Sequence, residues 1–355
     1  MTVLIKDAVD AWHPQRLLVI IVARIGDTLL VTPAIRALAE TYPEAQITVL
    51  AHPHRLDLLR YLPFIQHLSS ITKGRVFWRG RFSFLLGKTY DAAVVYGHDL
   101  ALVSYALRVA HRVVTQIQAD DFQPEAAARM ITVADTPGTE HAVSARLRLV
   151  QALGAQATTK NLSCSVTAEE QVFAKRTLSE LVAGGDSGRC WVGLQLQSFP
   201  TKAYRDWPRE SFEQLLEKLL TKKPDVLVVV LGDEASAAAA AELVRQFPHK
   251  VFSLAGRMSL RQVAAVMSRL SLYVGVDTGP THLAGALGVP MVALYHCKHR
   301  GLYLAPLDHS ALTVIEHPAS DQECCTESSM AAISVEQVWQ AVQNRLGLAA
   351  AKAML

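Results

Sequence analysis

The sequence predicts an α/β protein built from two doubly wound parallel sheets. Continuous apolar runs, such as Leu17–Val22 and the later "VLVVVL", are typical of strands buried on both faces of a parallel sheet. Segments with apolar residues at helical spacing separate these runs, as in βαβ units. The alternation of predicted strands and helices is interrupted at the glycine-rich linker Ala183–Gly188 and resumes after it. Two parallel sheets, one on either side of this linker, fit that order.

Length and composition support two domains. A chain of 355 residues is too long for one ordinary core. Half of the residues are hydrophobic and 19% are charged, which argues against disorder. We predict an N-terminal domain over residues 1–184 and a C-terminal domain over residues 185–355. The final helix, at about residues 333–347, is expected to pack back on the N-terminal domain.

The charge and the apolar runs limit the function classes. A formal net charge of +3 suits an anionic substrate or a membrane surface, but it is too small to indicate nucleic acid. No apolar run approaches the roughly 18–20 residues that span a bilayer. The N-terminus also lacks the apolar segment and cleavage site of a signal peptide. We therefore expect a cytoplasmic protein.

The N-terminal half begins with a βα unit whose turn carries an acid. Leu17–Val22 predicts a strand, "ARIGD" predicts a turn, and the apolar spacing becomes helical from Thr28 onwards. Asp27, at the start of this helix, is placed to act as a general base that activates a hydroxyl. The common alternative is that Asp27 only caps the helix.

Further strands and helices alternate through the rest of this half. "AQITVLAHP" and "YDAAVVYG" predict strands, and "ALVSYALRVA" predicts a helix. An amphipathic helix is expected at His141–Gly154. The next helix is expected to begin after Thr167, whose side chain would form a capping box with Glu170.

The C-terminal half repeats the alternation. Strands are predicted at "CWVGLQL", "DVLVVVLGDE", "VFSLAG", "LYVGVD" and "MVALY". Helices are predicted at "WPRESFEQLLEKLL", "SAAAAAELVRQF", "SLRQVAAVMSRL", "THLAGALG" and the closing "SVEQVWQAVQNRLGLAAAKA".

One strand–helix junction of this half, "VDTGPTH", combines several features of a phosphate site. Free amides and the dipole at a helix start attract phosphate, and ligands of such sheets bind at strand ends. Asp277 or Thr278 can cap the helix, and Gly279 lets a ligand approach the backbone. His282 is expected to face outward one turn later. The functional hypothesis is a cradle for a diphosphate, and the alternative is ordinary helix-start chemistry.

Two other loops that follow strands carry charged residues. "QSFPTKAYRDWP" contains Thr201, Lys202 and Arg205, and cations beside a crevice suit phosphate. Glu234, after another strand, could accept hydrogen bonds from a ribose. A solvated loop and a helix-start acid are the respective alternatives.

A basic and aromatic stretch lies in the N-terminal half. "RVFWRGRFSF" places Arg75, Arg79 and Arg81 among aromatic residues, which could touch a membrane or a phosphorylated lipid glycan. A partly buried loop with solvated arginines is the alternative. No GxGxxG follows the first strand, which argues against a dinucleotide oxidoreductase.

The cysteines predict no disulfide framework. Their number is five, which is odd, and no CxxC pair occurs. Cys297, Cys324 and Cys325 could hold a metal together with His296 or His299. Because the spacing fits no zinc pattern, we expect buried or adventitious thiols instead.

These motifs together resemble those of the ADP-heptose:lipopolysaccharide heptosyltransferases, glycosyltransferase family 9. "RIGDTLLVTPAIRAL" is similar to the N-terminal signature of the family, and "YRDWPRESF" to its Trp-Pro segment. The run from "LAGRMSL" to "GVPMVALY" resembles the longest block of the family, and "CCTESSMAAISVEQVWQAV" its Cys-rich tail. The resemblance spans Leu17 to about Val342.

The resemblance implies a GT-B fold, in which two Rossmann-like domains face a central cleft. The N-terminal domain then binds the acceptor and the C-terminal domain binds the nucleotide sugar. Asp27 falls where the family has its proposed catalytic base. The resemblance assigns donor binding to Arg205, Glu234, Asp277, Thr278, Gly279 and His282, with Lys202 as a neighbour of Arg205. Thr201, in the same basic loop, is a further donor-binding candidate.

The implied activity is an inverting transfer of a heptose from ADP-heptose to the lipopolysaccharide inner core. The implied partners are the nucleotide sugar, the lipopolysaccharide acceptor and, transiently, the cytoplasmic face of the inner membrane; nucleic acid is not expected. No metal cofactor is required. His296 stands where the family usually has Gly, and "LQSFPTK" replaces a loop of small residues. Another nucleotide sugar or acceptor, and a silent paralogue that only binds nucleotide or glycan, therefore stay open.

Overall fold

The chain forms two units, each built on one parallel sheet. The computed structural model describes residues 12–72, 74, 76, 88–136, 138–182 and 188–352. Contacts between Cα atoms divide the chain into unit 1, Met1–Ser165, and unit 2, Val166–Leu355. Each unit holds a six-stranded sheet, and in the described residues helices connect most of the successive strands. The prediction of two doubly wound parallel sheets is confirmed.

Unit 1 contains the first sheet, in the strand order β3-β2-β1-β4-β5-β6. All its neighbouring strands pair in parallel. Its strands are β1 (Arg16–Ile21), β2 (Gln46–Ala51), β3 (His67–Ser70), β4 (Tyr90–Tyr96), β5 (Ala110–Thr115) and β6 (Met130–Thr132). Its α-helices in the described residues are α1 (Ile25–Leu30), α2 (Thr32–Thr41), α3 (Leu100–Val109), α4 (Pro124–Ala127) and α5 (Ala142–Gln151).

Unit 2 contains the second sheet, in the strand order β12-β11-β10-β7-β8-β9, again with parallel pairing throughout. Its strands are β7 (Trp191–Gln195), β8 (Leu227–Leu231), β9 (Val251–Ser253), β10 (Leu272–Val276), β11 (Met291–Tyr295) and β12 (Leu312–Glu316). Its α-helices in the described part are α6 (Ala168–Glu180), α7 (Arg209–Lys222), α8 (Ala237–Gln246), α9 (Leu260–Met267), α10 (Gly279–Ala286), α11 (Gly301–Leu304) and α12 (Val335–Lys352).

The strand order reverses once in each sheet. The reversal lies between β1 and β4 in unit 1, and between β7 and β10 in unit 2. Ligands of doubly wound sheets bind beyond the carboxyl ends of the strands at such a reversal. Asp27 lies in the helix that follows β1, and Asp277 directly follows β10. Asp27 and Asp277 therefore both lie at a reversal point.

Helix α6 belongs to unit 2, although we predicted the domain boundary after it. The capping box of Thr167 and Glu170 forms as predicted. The same Glu170 carboxylate accepts two hydrogen bonds from Arg261 of α9, one from Nε at 2.7 Å and one from Nη2. This pair and the packing of α6 against α9 place the division between residues 165 and 166. Residues 183–187 of the predicted linker Ala183–Gly188 lie outside the described residues.

The Glu170–Arg261 pair predicts a pH-dependent contribution to stability. Burial raises the pKa of Glu170, but the hydrogen bonds from Arg261 and Thr167 outweigh it and hold the pKa below its usual value. The unfolded carboxyl titrates near pH 4.3. An acid with a depressed pKa stabilises the fold above the unfolded pKa and loses this contribution as the pH falls through the folded pKa.

We therefore expect the free energy of unfolding at pH 7 to be higher for wild type than for Glu170→Gln. This difference should shrink steadily as the pH falls towards 3. Chemical denaturation at several pH values measures it. Glu169→Gln is the matched control, because Glu169 is an exposed acid on the same helix turn. A difference that does not change with pH would show that Arg261 does not bind the ionised carboxylate.

The final helix, which we expected to return to the N-terminal domain, packs within unit 2. Helix α12 lies against α7 and against strands β10, β11 and β12. Trp207, just before α7, is buried, packs edge-on against Phe212 and donates its indole N–H to the carbonyl oxygen of Ile333 at 2.9 Å. This hydrogen bond fixes the segment that leads into α12.

Candidate functional site

Asp277 is a buried acid at the end of β10, held by two basic side chains. Its side chain is 4% exposed. Arg205 Nη1 donates to Asp277 Oδ2 at 2.8 Å, and His282 Nε2 lies 3.6 Å from Oδ1. The backbone N–H of Asp277 donates to Leu294 of the neighbouring strand at 3.1 Å. The carboxylate is therefore positioned by the sheet and paired on both oxygens.

The surroundings keep Asp277 ionised. Burial alone raises the pKa of this carboxyl. The hydrogen bond from His282 and the charge of Arg205 act in the opposite direction and hold the pKa below its usual value. An unpaired charge buried at this depth would cost folding free energy. The Asp277 carboxylate therefore stays paired with the Arg205 guanidinium and holds it in position.

The start of α10 leaves its first amide available. Thr278 is the N-cap residue, but its side chain makes no capping bond; its hydroxyl donates to the Val276 carbonyl at 3.3 Å instead. Pro280 occupies the first turn, and the N–H groups of Thr281 and His282 both donate to the Thr278 carbonyl. The amide of Gly279, at the first helical position, has no intrahelical acceptor. Ordinary side-chain capping is therefore not the role of this Asp-Thr pair.

The prediction that His282 faces outward is wrong. His282 is 5% exposed, and its ring turns back towards the Asp277 carboxylate. The physical reason is that the buried carboxylate needs a partner on its second oxygen. His282 Nδ1 is buried and has no hydrogen-bond partner among the described residues.

Arg205 is held by a histidine that the sequence did not single out as a donor-site residue. Arg205 Nη2 donates to Nε2 of His299 at 2.9 Å, and the hydroxyl of Tyr204 lies 2.7 Å from the same nitrogen. Burial and the charge of Arg205 lower the pKa of His299 to about 4. The imidazole is therefore neutral near pH 7, accepts at Nε2 and carries its proton on Nδ1. The ring of Tyr204 stacks on that of His299.

Three buried polar atoms without partners surround this reversal point in unit 2. Arg205 Nε, His282 Nδ1 and Gln195 Oε1 all lack a hydrogen-bond partner within the described residues. Gln195 ends β7, which is paired with β10. Buried polar groups are nearly always satisfied in folded proteins, so such orphans indicate a place where a ligand or water binds.

The other predicted donor residues lie near by or at the surface. Lys202 lies in the 3₁₀ turn Pro200–Arg205, with Nζ 5.7 Å from the centre of the Tyr204 ring. Thr201 of the same turn is exposed.

Glu234 is exposed at the start of a short 3₁₀ turn, and its neighbour Asp233 caps this turn by accepting a hydrogen bond from the backbone N–H of Ser236. Glu234 does not cap this turn, but it is the acid of its first turn, so both the ribose contact and the helix-start role remain open for it.

The expectation of unpaired cysteines is wrong for one pair. Cys297 and Cys324 form a disulfide. It joins the 3₁₀ turn Cys297–His299, after β11, to the segment that precedes α12. Sequence spacing alone could not find this pair, because the intervening strand β12 folds back beside β11. Cys325 is exposed and lies outside the disulfide.

In unit 1, Asp27 is paired with an arginine from a distant helix. Arg146 of α5 donates from Nη2 to Asp27 Oδ1 at 2.6 Å. The Asp27 side chain is 44% exposed, so it is open to solvent on one side. The N-cap of α1 is Arg24, and Asp27 makes no capping bond. The capping alternative therefore does not hold, and Asp27 presents an oriented carboxylate that is accessible to solvent.

Arg75, Arg79 and Arg81 lie outside the described residues. The structure adds nothing to the expectation that they contact an acceptor or a membrane.

The two sites differ in chemistry. The Asp277 cluster, which we define as Asp277, Arg205, His282, His299 and Tyr204, presents a fixed guanidinium beside the start of a helix. This combination suits a bound diphosphate, because charge-assisted hydrogen bonds and helix amides both favour phosphate oxygens. Asp27 offers a carboxylate that can accept a proton.

The chain is similar to known sugar transferases along most of its length. The family model "Glycosyltransferase family 9 (heptosyltransferase)" matches residues 82–332. Lipopolysaccharide heptosyltransferase 3 of Escherichia coli is 23% identical over 336 residues, which cover 90% of this chain and 96% of that protein.

Solved structures show the same fold. The glycosyl transferase family 9 structure from Veillonella parvula superposes with a TM-score of 0.79 at 20% identity, covering 94% of this chain and 97% of that chain. The E. coli ADP-heptose lps heptosyltransferase II gives a TM-score of 0.75 at 20% identity, covering 94% and 99%. Two Rossmann-like units of the GT-B type are therefore the fold of this chain.

Proposed function

The chain belongs to glycosyltransferase family 9 (heptosyltransferase), and on that premise we propose that it transfers a heptose from ADP-heptose to the lipopolysaccharide inner core with inversion at the anomeric carbon. The observation that carries the donor part is the geometry of Arg205. Its guanidinium is fixed by Asp277 and His299, and its Nε remains without a partner among the described residues. Such a cation beside the start of α10 supports binding of a diphosphate.

We propose that Asp27 is the base of the transfer step. Its carboxylate takes the proton of the acceptor hydroxyl, whose oxygen attacks the anomeric carbon from the side opposite the diphosphate. The bond between that carbon and the phosphate oxygen breaks, and ADP leaves with the electron pair. Arg146 orients the base through the 2.6 Å hydrogen bond, as general-base catalysis requires.

The leaving diphosphate gains negative charge in this step. Arg205 and the amide of Gly279 are in place to stabilise that charge, with Thr278, His282 and Lys202 at the edges of the site. Preorganised donors of this kind stabilise a transition state without rearrangement. We therefore propose that the transfer step needs no metal cofactor.

We also propose that the acceptor is lipopolysaccharide and that the transfer takes place at the inner membrane. Lipopolysaccharide carries phosphate and other anionic groups, which suits a chain with a net charge of +3. Among the described residues, no helix is both long and apolar enough to cross a bilayer. We propose a peripheral position on the cytoplasmic face of the inner membrane, with Arg75, Arg79 and Arg81 as candidate contacts for the acceptor or the lipid surface.

The activity is tested by incubating the purified chain with ADP-heptose and truncated inner-core lipopolysaccharides of increasing length. We expect one acceptor to gain a single heptose, with ADP released in equal amount and with chelator present throughout. Nuclear magnetic resonance of the product should show the anomeric configuration opposite to that of the donor. Transfer only from another nucleotide sugar would overturn the donor, and nucleotide binding without transfer would indicate a silent paralogue.

A further inference from the structure

A cluster of three soft ligands lies beside the Asp277 cluster but outside the proposed reaction. His296, Cys297 and Cys324 are buried, with exposed fractions of 0%, 4% and 8%. One candidate ligand atom from each of them lies within 4.8 Å of the others. Imidazole nitrogen and two cysteine sulfurs form the kind of donor set that soft or borderline transition metals prefer.

The ring of His296 is already oriented as in a metal site. Its Nε2 lies 2.9 Å from the carbonyl oxygen of Ser328. Since a carbonyl only accepts, Nε2 carries the proton and the lone pair of the ring lies on Nδ1. Nδ1 lies 3.8 Å from Cys297 Sγ. Metal-bound histidines commonly donate their other N–H to a backbone carbonyl in this way.

One contact must give way for a metal to bind. The backbone N–H of Lys298 donates to His296 Nδ1 at 3.1 Å. This bond caps the 3₁₀ turn Cys297–His299, so a metal ion bound at Nδ1 takes the place of that capping bond.

The disulfide determines whether the sulfurs are available. A dithiol reductant can transfer two electrons and two protons to the Cys297–Cys324 bond; the reductant is oxidised to its own disulfide, and two thiols form. A divalent ion then displaces both thiol protons and binds the two thiolates. The charges balance, because two protons leave as one ion of charge +2 enters.

We propose that the reduced chain binds one zinc-class divalent ion through His296 Nδ1, Cys297 Sγ and Cys324 Sγ, and that formation of the disulfide abolishes this site. Three protein ligands leave one position of a tetrahedral ion for water. The ion and the disulfide are alternative links between the turn Cys297–His299 and the segment before α12. Either link restrains the turn that carries His299, the partner of Arg205.

The test uses the tag-free full-length chain and cobalt as a spectroscopic stand-in for zinc. The protein is reduced with a phosphine under anaerobic conditions, freed of reductant and titrated with Co²⁺. We expect a thiolate-to-cobalt charge-transfer band that saturates at one ion per chain and disappears when zinc is added. The disulfide form, prepared in parallel, should give no band.

Variants separate this site from other thiols. Cys297→Ser and Cys324→Ser should lose the band, and His296→Gln should weaken cobalt binding while circular dichroism shows the fold unchanged. Cys190→Ser is the matched control, because Cys190 lies outside the disulfide at the start of β7 and should leave the band intact.

Three results would overturn the proposal. They are no thiolate band in the reduced wild type, a band that survives in a folded Cys297→Ser variant, and equal cobalt binding by the disulfide form. None of these readouts involves a nucleotide or a sugar, so failure of the metal site and failure of the proposed function are distinguishable.

Discussion

The Asp27→Asn variant is expected to lose turnover by about 10²–10⁴-fold, the range that general-base catalysis contributes. An amide cannot take the proton of the acceptor hydroxyl, yet its oxygen can still accept the hydrogen bond from Arg146. The shape of the site and the fold should therefore survive. ADP affinity should stay unchanged, because Asp27 lies in unit 1 and the Asp277 cluster in unit 2. Steady-state kinetics with saturating donor and acceptor measure the change.

Asp57→Asn is the matched control for this prediction. Asp57 is an acid of the same unit with a similar exposed fraction, 42% against 44%, and it is paired with Arg60 at 2.7 Å. We expect its turnover to equal that of wild type. If Asp27→Asn retained wild-type turnover, or if ADP affinity fell with it, Asp27 would be a structural residue and the base would lie elsewhere.

The second large effect is expected from Asp277→Ala. Removing this carboxylate leaves Arg205 in a mostly buried position without its ionic partner, and breaking such a pair costs about 3–5 kcal/mol of folding free energy. The guanidinium also loses its fixed position, so ADP affinity should fall by roughly ten-fold or more, which corresponds to about 1.4 kcal/mol. Urea denaturation and calorimetric titration with ADP measure the two effects.

A double-mutant cycle tests whether the two residues act as a pair. Arg205→Met combined with Asp277→Ala should destabilise the fold by less than the sum of the single changes, because the apolar side chain removes the unpaired charge. Asp321→Ala is the control: this acid also pairs with an arginine, but its side chain is 82% exposed and should matter little. Strict additivity of the two single changes would contradict the pairing.

The parts of the fold that the sequence predicts best are the buried parallel strands. Strands such as β1 and β10 are covered on both faces, so they read as continuous apolar runs, and the glycine and proline at the start of α10 mark a strand–helix junction. Strands β3, β5, β6 and β12 were not predicted. The residues of β3, β6 and β12 are mostly half-buried, and they form no long buried apolar run. In β5, the exposed His111 and Arg112 interrupt the apolar run.

The candidate site was predictable only in its local part. Asp27 and Asp277 stand next to a predicted strand, whereas their arginine partners come from far along the chain. Arg146 is 119 residues from Asp27, and Arg205 is 72 residues from Asp277. The fold brings these pairs together, and no spacing rule in the sequence predicts them. The outward orientation predicted for His282 was wrong for a different reason: it followed from helix position alone and left out the charge of the nearby Asp277.

Calorimetric titration of wild type and one variant tests whether unit 2 binds the nucleotide through Arg205. The purified wild type and the Arg205→Met variant are titrated calorimetrically with ADP, UDP and GDP. We predict that wild type prefers ADP over the other two and that Arg205→Met loses most of this affinity. Equal affinity for all three nucleotides, or undiminished ADP binding by the Arg205→Met variant, would contradict the account.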